Sequence, residues 1–140
     1  MVAGSRDRQV NAFPWWRAAL IWMLIILAET LHGLLREIFI APQLGDLRAR
    51  QLGVLIGSVL IFLIAWATAR WMGARSRVVQ LKVGAMWVLL TASFEFALGR
   101  AMGLGWDRIL ADYNPARGGF MILGMAFMFF APLLAARLRS

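Results

Sequence analysis

Four apolar runs decide what this chain can become. They lie at about residues 18–35, 53–69, 83–98 and 120–136. Each is long enough to cross a bilayer as a helix rising about 1.5 Å per residue. The connections between them are short, which leaves no room for a soluble catalytic domain. The 140 residues are 61% hydrophobic with a mean hydropathy of +0.71, far too apolar for a soluble domain of this length. The expected fold is an all-α integral membrane protein, residues 1–140 forming a single domain of four transmembrane helices. The first run follows basic residues, as a signal peptide does. It is too long for one and lacks an evident small-residue cleavage site, so it reads as a permanent span.

A net charge of +8 invites a nucleic-acid reading, and the distribution of charge argues against it. Arg6, Arg8, Arg17, Arg70, Arg75, Arg77, Lys82, Arg137 and Arg139 fall before the first run, between the second and third, or after the fourth. Only Asp7 opposes them there. Up-and-down topology puts these segments on one side of the membrane. The other six bases and six acids lie toward the opposite side and cancel. The whole excess is thus a positive-inside signal. It predicts cytoplasmic N- and C-termini, in a bacterial inner membrane, with membrane lipids as partners and no nucleic acid. There is no cysteine, which excludes disulfides, thiolate metal sites and thiol chemistry within the chain.

The first run ends in AETLHGLLRE, residues 28–37. Glu29, His32 and Arg36 stand at i, i+3 and i+7, so one helical face carries all three. Ionisable groups at membrane depth are costly and mark candidate functional sites. Glu29 lies 12 residues past Arg17, about 18 Å up the first helix, and Glu95 lies about 20 Å beyond Lys82 in the third. The two acids are therefore expected at similar depth, in the outer half.

An internal repeat supports that placement. With Glu29 set on Glu95, Gly33 falls on Gly99 and Asp46 on Asp112. One inserted residue then aligns Arg50 with Arg117, Gly57 with Gly124 and Arg70 with Arg137. The halves, about 14–70 and 80–137, read as two similar hairpins in a parallel repeat. Glu29 is expected to pair with Arg50, and Glu95 with Arg117, with Arg36 and Arg100 as alternative partners.

In the second outer loop, Trp106, Ile109, Leu110 and Tyr113 follow i, i+3, i+4, i+7 spacing. This predicts a short interfacial helix ended by Asn114-Pro115. Pro42 and Gly45 are expected to break the first outer loop. Gly53-x-x-x-Gly57 and Gly99-x-x-x-Gly103 suit close helix approach, and Pro132 should bend or end the fourth helix.

The candidate polar cluster is Glu29, His32, Arg36, Arg50, Glu95, Arg100, Asp112, Tyr113 and Arg117. One reading is a charge clamp that fixes the register of the hairpins. Another is a site for an amphiphilic ligand of lipid or quinone type, with arginines for a phosphate or carboxylate and Glu29 and His32 for proton exchange. The same face could dock a partner membrane protein. The alternative function is a homodimeric transporter of a small solute or lipid, with Glu29 and Glu95 as coupling groups. No catalytic motif, cofactor or metal site is expected. Glu29-x-x-His32 has the spacing of half a di-iron site, but Arg36 one turn on would repel a cation.

Overall fold

The computed structural model describes residues 13–139, and these contain helices and connections without a strand. Helix α1 (Trp15–Leu35) runs through a π-helical turn (Arg36–Ile40) into α2 (Ala41–Leu44). After them come α3 (Asp46–Met72), α4 (Arg77–Ala101), the short α5 (Trp106–Ala111), a 3-10 turn (Pro115–Arg117) and α6 (Met121–Arg139). Four stretches are long and apolar enough to cross a membrane: Trp15–Leu44, Asp46–Met72, Arg77–Ala101 and Met121–Arg139. In lipid no water satisfies a backbone amide, so an apolar run of this length closes its own hydrogen bonds as a helix.

The breaks follow local chemistry, with one correction to expectation. Residues around Pro42 are helical, because Pro42 occupies the first turn of α2, where its missing N–H has no partner to lose. The reversal falls on Gly45 alone, whose φ of +86° suits glycine. Pro132 lies inside α6, which continues past it to Arg139. Pro132 is fully buried, and packing against neighbouring spans holds the helix through the missing bond. Between α3 and α4, the Ser76 hydroxyl caps α4 by accepting from the Val79 N–H at 3.2 Å.

The α3 helix packs most extensively on α6, α6 on α4, and α1 on α3. The α1 and α4 helices run parallel and touch at one end, where the Trp87 indole donates to the Ala18 carbonyl at 3.0 Å and that of Trp22 to the Thr91 hydroxyl at 3.0 Å. We call this the terminal end, since α1 begins there and α6 finishes there. The core lies in the terminal half, around Ile21, Ile25, Val83, Trp87, Ala131 and Ala135. Beyond Ile25, α1 has no buried residue. The spans therefore close tightly at the terminal end and part toward the distal end, where Gly45 and α5 lie.

Positions matched by the sequence repeat meet different neighbours. Gly57 faces the Glu29 carboxylate, whereas Gly124 faces Val54. Nothing stands within 4 Å of a Cβ placed on Gly33, whereas Gly99 receives the Ile109 side chain.

Trp87 is the largest fully buried side chain and joins α4 to α1. Trp87→Phe keeps most of the ring but removes the indole donor. The expected loss is about 1–2 kcal/mol, measured as a lower melting temperature of the purified protein in detergent.

Candidate functional site

Where the spans part, they enclose a cavity of about 510 Å³, bounded by all four spans and α5. Its floor includes Ile61, Thr91 and Met128. Thr91 receives the Trp22 indole N–H and donates to the Met128 sulfur at 3.4 Å, so hydrogen bonds fix the floor to the core beneath it.

One wall is the charged face of α1. Glu29 Oε2 lies 3.9 Å from His32 Nδ1, and the Arg36 guanidinium reaches Glu37 Oε1 at 3.4 Å. Glycines of α3 stand opposite. A Cβ on Gly57 would come within 2.7 Å of Glu29 Oε2, and one on Gly53 within 3.0 Å of the Arg36 side chain. The Gly53-x-x-x-Gly57 motif thus forms a recess for polar side chains, a role distinct from backbone-to-backbone approach.

The facing wall carries Glu95 from α4 and Tyr113 from the turn after α5. Glu29 and Glu95 are near enough to repel each other, and the Arg36 charge acts on both. Tyr113 packs on Phe96 with ring centroids 5.3 Å apart. Burial, with Glu95 and Asp112 nearby, pushes its phenol up to about 12, so the hydroxyl stays protonated and available as a donor.

The rim is a closed ring of charges. Arg50 pairs with Asp46 at 2.9 Å and with Asp112, while Arg108 pairs with Asp112 at 3.1 Å and with Asp46 at 3.7 Å. Two cations and two anions thereby tie the first turn of α3 to α5. Gln51 adds a bond to the Gly118 carbonyl at 2.8 Å.

Seven of the nine residues picked from the sequence line the cavity: Glu29, His32, Arg36, Arg50, Glu95, Asp112 and Tyr113. The expected pairings are corrected. Arg50 does not meet Glu29, because Glu29 sits opposite Gly57, seven residues or about 10 Å further along α3. Arg117 does not meet Glu95. It lies exposed in the 3-10 turn, donating to the Asp107 carbonyl at 3.4 Å. Arg100 also falls outside, since five residues place it about 140° around α4 from Glu95. It donates to the Leu104 carbonyl at 3.2 Å and stacks over Trp106. Sequence reasoning missed Asp46 and Arg108 as members of the ring. Their i, i+4 spacing to Arg50 and Asp112 was the available signal.

Four polar atoms around the cavity are buried without a hydrogen-bond partner: Glu29 Oε1, His32 Nε2, Arg36 Nε and the Tyr113 hydroxyl. Buried polar groups are ordinarily paired, so a cluster of four such atoms marks a place suited to binding polar atoms from outside the chain. Among the described residues, no three histidines or carboxylates converge as metal ligands. No known protein family, curated protein or solved structure matches the chain.

Proposed function

We propose that this protein holds an amphiphilic small molecule, of lipid or quinone type, with its polar head in the distal cavity. The carrying observation is that four residues with a buried, unpartnered polar atom all line one cavity of ligand size. In this reading the Asp–Arg ring is the structural clamp and the deeper α1 face is the binding surface. The two halves of the chain act as related hairpins, each giving one glutamate, on the strength of the equal Glu-to-Asp offsets. The distal end faces away from the cytoplasm of a bacterial inner membrane, because the nine terminal-side bases favour the inside.

Native mass spectrometry of protein extracted gently from its own membrane tests the proposal. The expected spectrum shows a reproducible, stoichiometric extra mass of lipid or quinone size. Gly57→Leu drives a side chain into the Glu29 recess and should abolish that mass while the helix content stays unchanged. A stoichiometric second polypeptide, with no small molecule, would make the polar face a docking surface instead.

A second reading is a transporter with Glu29 and Glu95 as coupling groups. The observation favouring it is that both acids lack an arginine ion pair and share a cavity closed at its floor by the core. Proton flux coupled to solute uptake in vesicles, lost in Glu95→Gln, is its expected signature.

A further inference from the structure

The charges around the cavity say which kind of head it takes. The chain as a whole is +8, yet the residues lining the cavity include five acids and three arginines. With His32 neutral this is a formal excess of two negative charges, and one remains even with His32 protonated. The ion pairs locate the excess. The rim ring cancels internally, and Arg36, within ion-pair distance of Glu37, is the one remaining lining arginine against Glu29, Glu37 and Glu95. Glu29 and Glu95 are left over, deep in the cavity, with no arginine or lysine as an ion-pair partner.

From these observations, and resting on the reading of the cavity as an amphiphile site, we propose that the bound head is an organic cation. An amine, amidinium or quaternary ammonium on an apolar body fits. Of the three lining arginines, Arg50 and Arg108 are held in the rim ring, and Arg36 stands against Glu29, Glu37 and Glu95, so a phosphate head would meet more carboxylates than free guanidinium groups. A metal ion would need converging ligands that the described residues do not offer. The lining also includes Phe94, Phe120 and Tyr113, aromatic residues of the kind that attract a weakly hydrated cation.

An apolar surface for the body lies next to the cavity. A groove of about 350 Å³ runs on the surface between α4 and α6, lined by Val88, Ile122, Ala126, Phe129 and Phe130. Tyr113 and Met125 border both the groove and the cavity, so these two side chains form the partition between them. A chain attached to a head beside Glu95 would reach the groove by displacing these two side chains, without crossing the charged rim.

The test uses the full chain in a neutral detergent, titrated calorimetrically with three probes sharing a twelve-carbon tail: dodecyltrimethylammonium, dodecyl phosphate and dodecanol. The ammonium should bind saturably and at least about tenfold more tightly than the phosphate, a difference of about 1.4 kcal/mol. Glu29→Gln and Glu95→Gln should each weaken ammonium binding at least about tenfold and dodecanol binding much less. Circular dichroism confirms that both variants are folded. Phosphate binding as tight as ammonium would overturn the cation assignment and leave the cavity reading standing. Ammonium binding that neither variant alters would place the probe elsewhere and overturn it too. If no probe binds and the native protein carries no extra mass, the cavity reading itself fails.

Discussion

Gly84→Ala is expected to cost about 3 kcal/mol, near the upper end for overpacking, or to prevent folding outright. A single methyl has this effect because of what stands beside it. A Cβ on Gly84 would overlap the carbonyl oxygen of Phe129, a backbone atom of α6. A crowding side chain can rotate away; a helical carbonyl moves only with its helix. The α4 and α6 backbones would have to separate at the edge of the core that contains Val83 and Trp87. Membrane helices gain their association from van der Waals packing, with little hydrophobic driving force between them, so separation forfeits most of the contact. The matched control is Gly33→Ala. Nothing lies within 4 Å of its new methyl, and alanine is the better helix former. Thermal unfolding in detergent should show Gly33→Ala at or slightly above the wild-type midpoint and Gly84→Ala far below it. Equal midpoints for the two variants would mean that α4 and α6 do not touch at Gly84.

This contrast also shows what a sequence can reveal about such a chain. Span number followed from hydropathy, because backbone satisfaction in lipid leaves little alternative to helices. The meeting of Glu29 and Glu95 at one level of the bundle followed from helical rise, and the repeat of apolar residues at 106–113 announced α5. Which glycine meets a backbone and which meets a carboxylate was not legible. Gly84 belongs to no recognisable motif, and Gly53 and Gly57 belong to one that ordinarily signals close approach of helices. The pairing of charges was misread for a related reason. Sequence symmetry set Glu29 against Arg50, but the pairing depends on how far one span slides past another. A slide of seven residues moved Arg50 from a deep glutamate to the rim aspartates.

That slide separates stability from binding, and the separation can be measured. Asp112→Ala should lower stability by about 1–3 kcal/mol, a range reduced from that of fully buried pairs because Asp112 retains 33% exposure. Its loss leaves Arg50 and Arg108 sharing Asp46 alone, two cations to one anion, and loosens α5 over the cavity mouth. Glu29→Gln should behave in the opposite sense. Its carboxylate has no arginine or lysine ion pair, lies near Glu95 and leaves Oε1 without a hydrogen bond. Replacing it with a neutral amide of the same shape removes repulsion and a buried charge. Stability should hold or rise by up to about 1 kcal/mol. Chemical unfolding followed by circular dichroism gives both values, and ammonium titration of the same samples gives the binding. If Glu29→Gln unfolds as readily as Asp112→Ala, Glu29 belongs to the clamp and the binding assignment is lost. The expected pattern is a crossed one, with Asp112 sustaining the fold and Glu29 holding a ligand at the fold's expense.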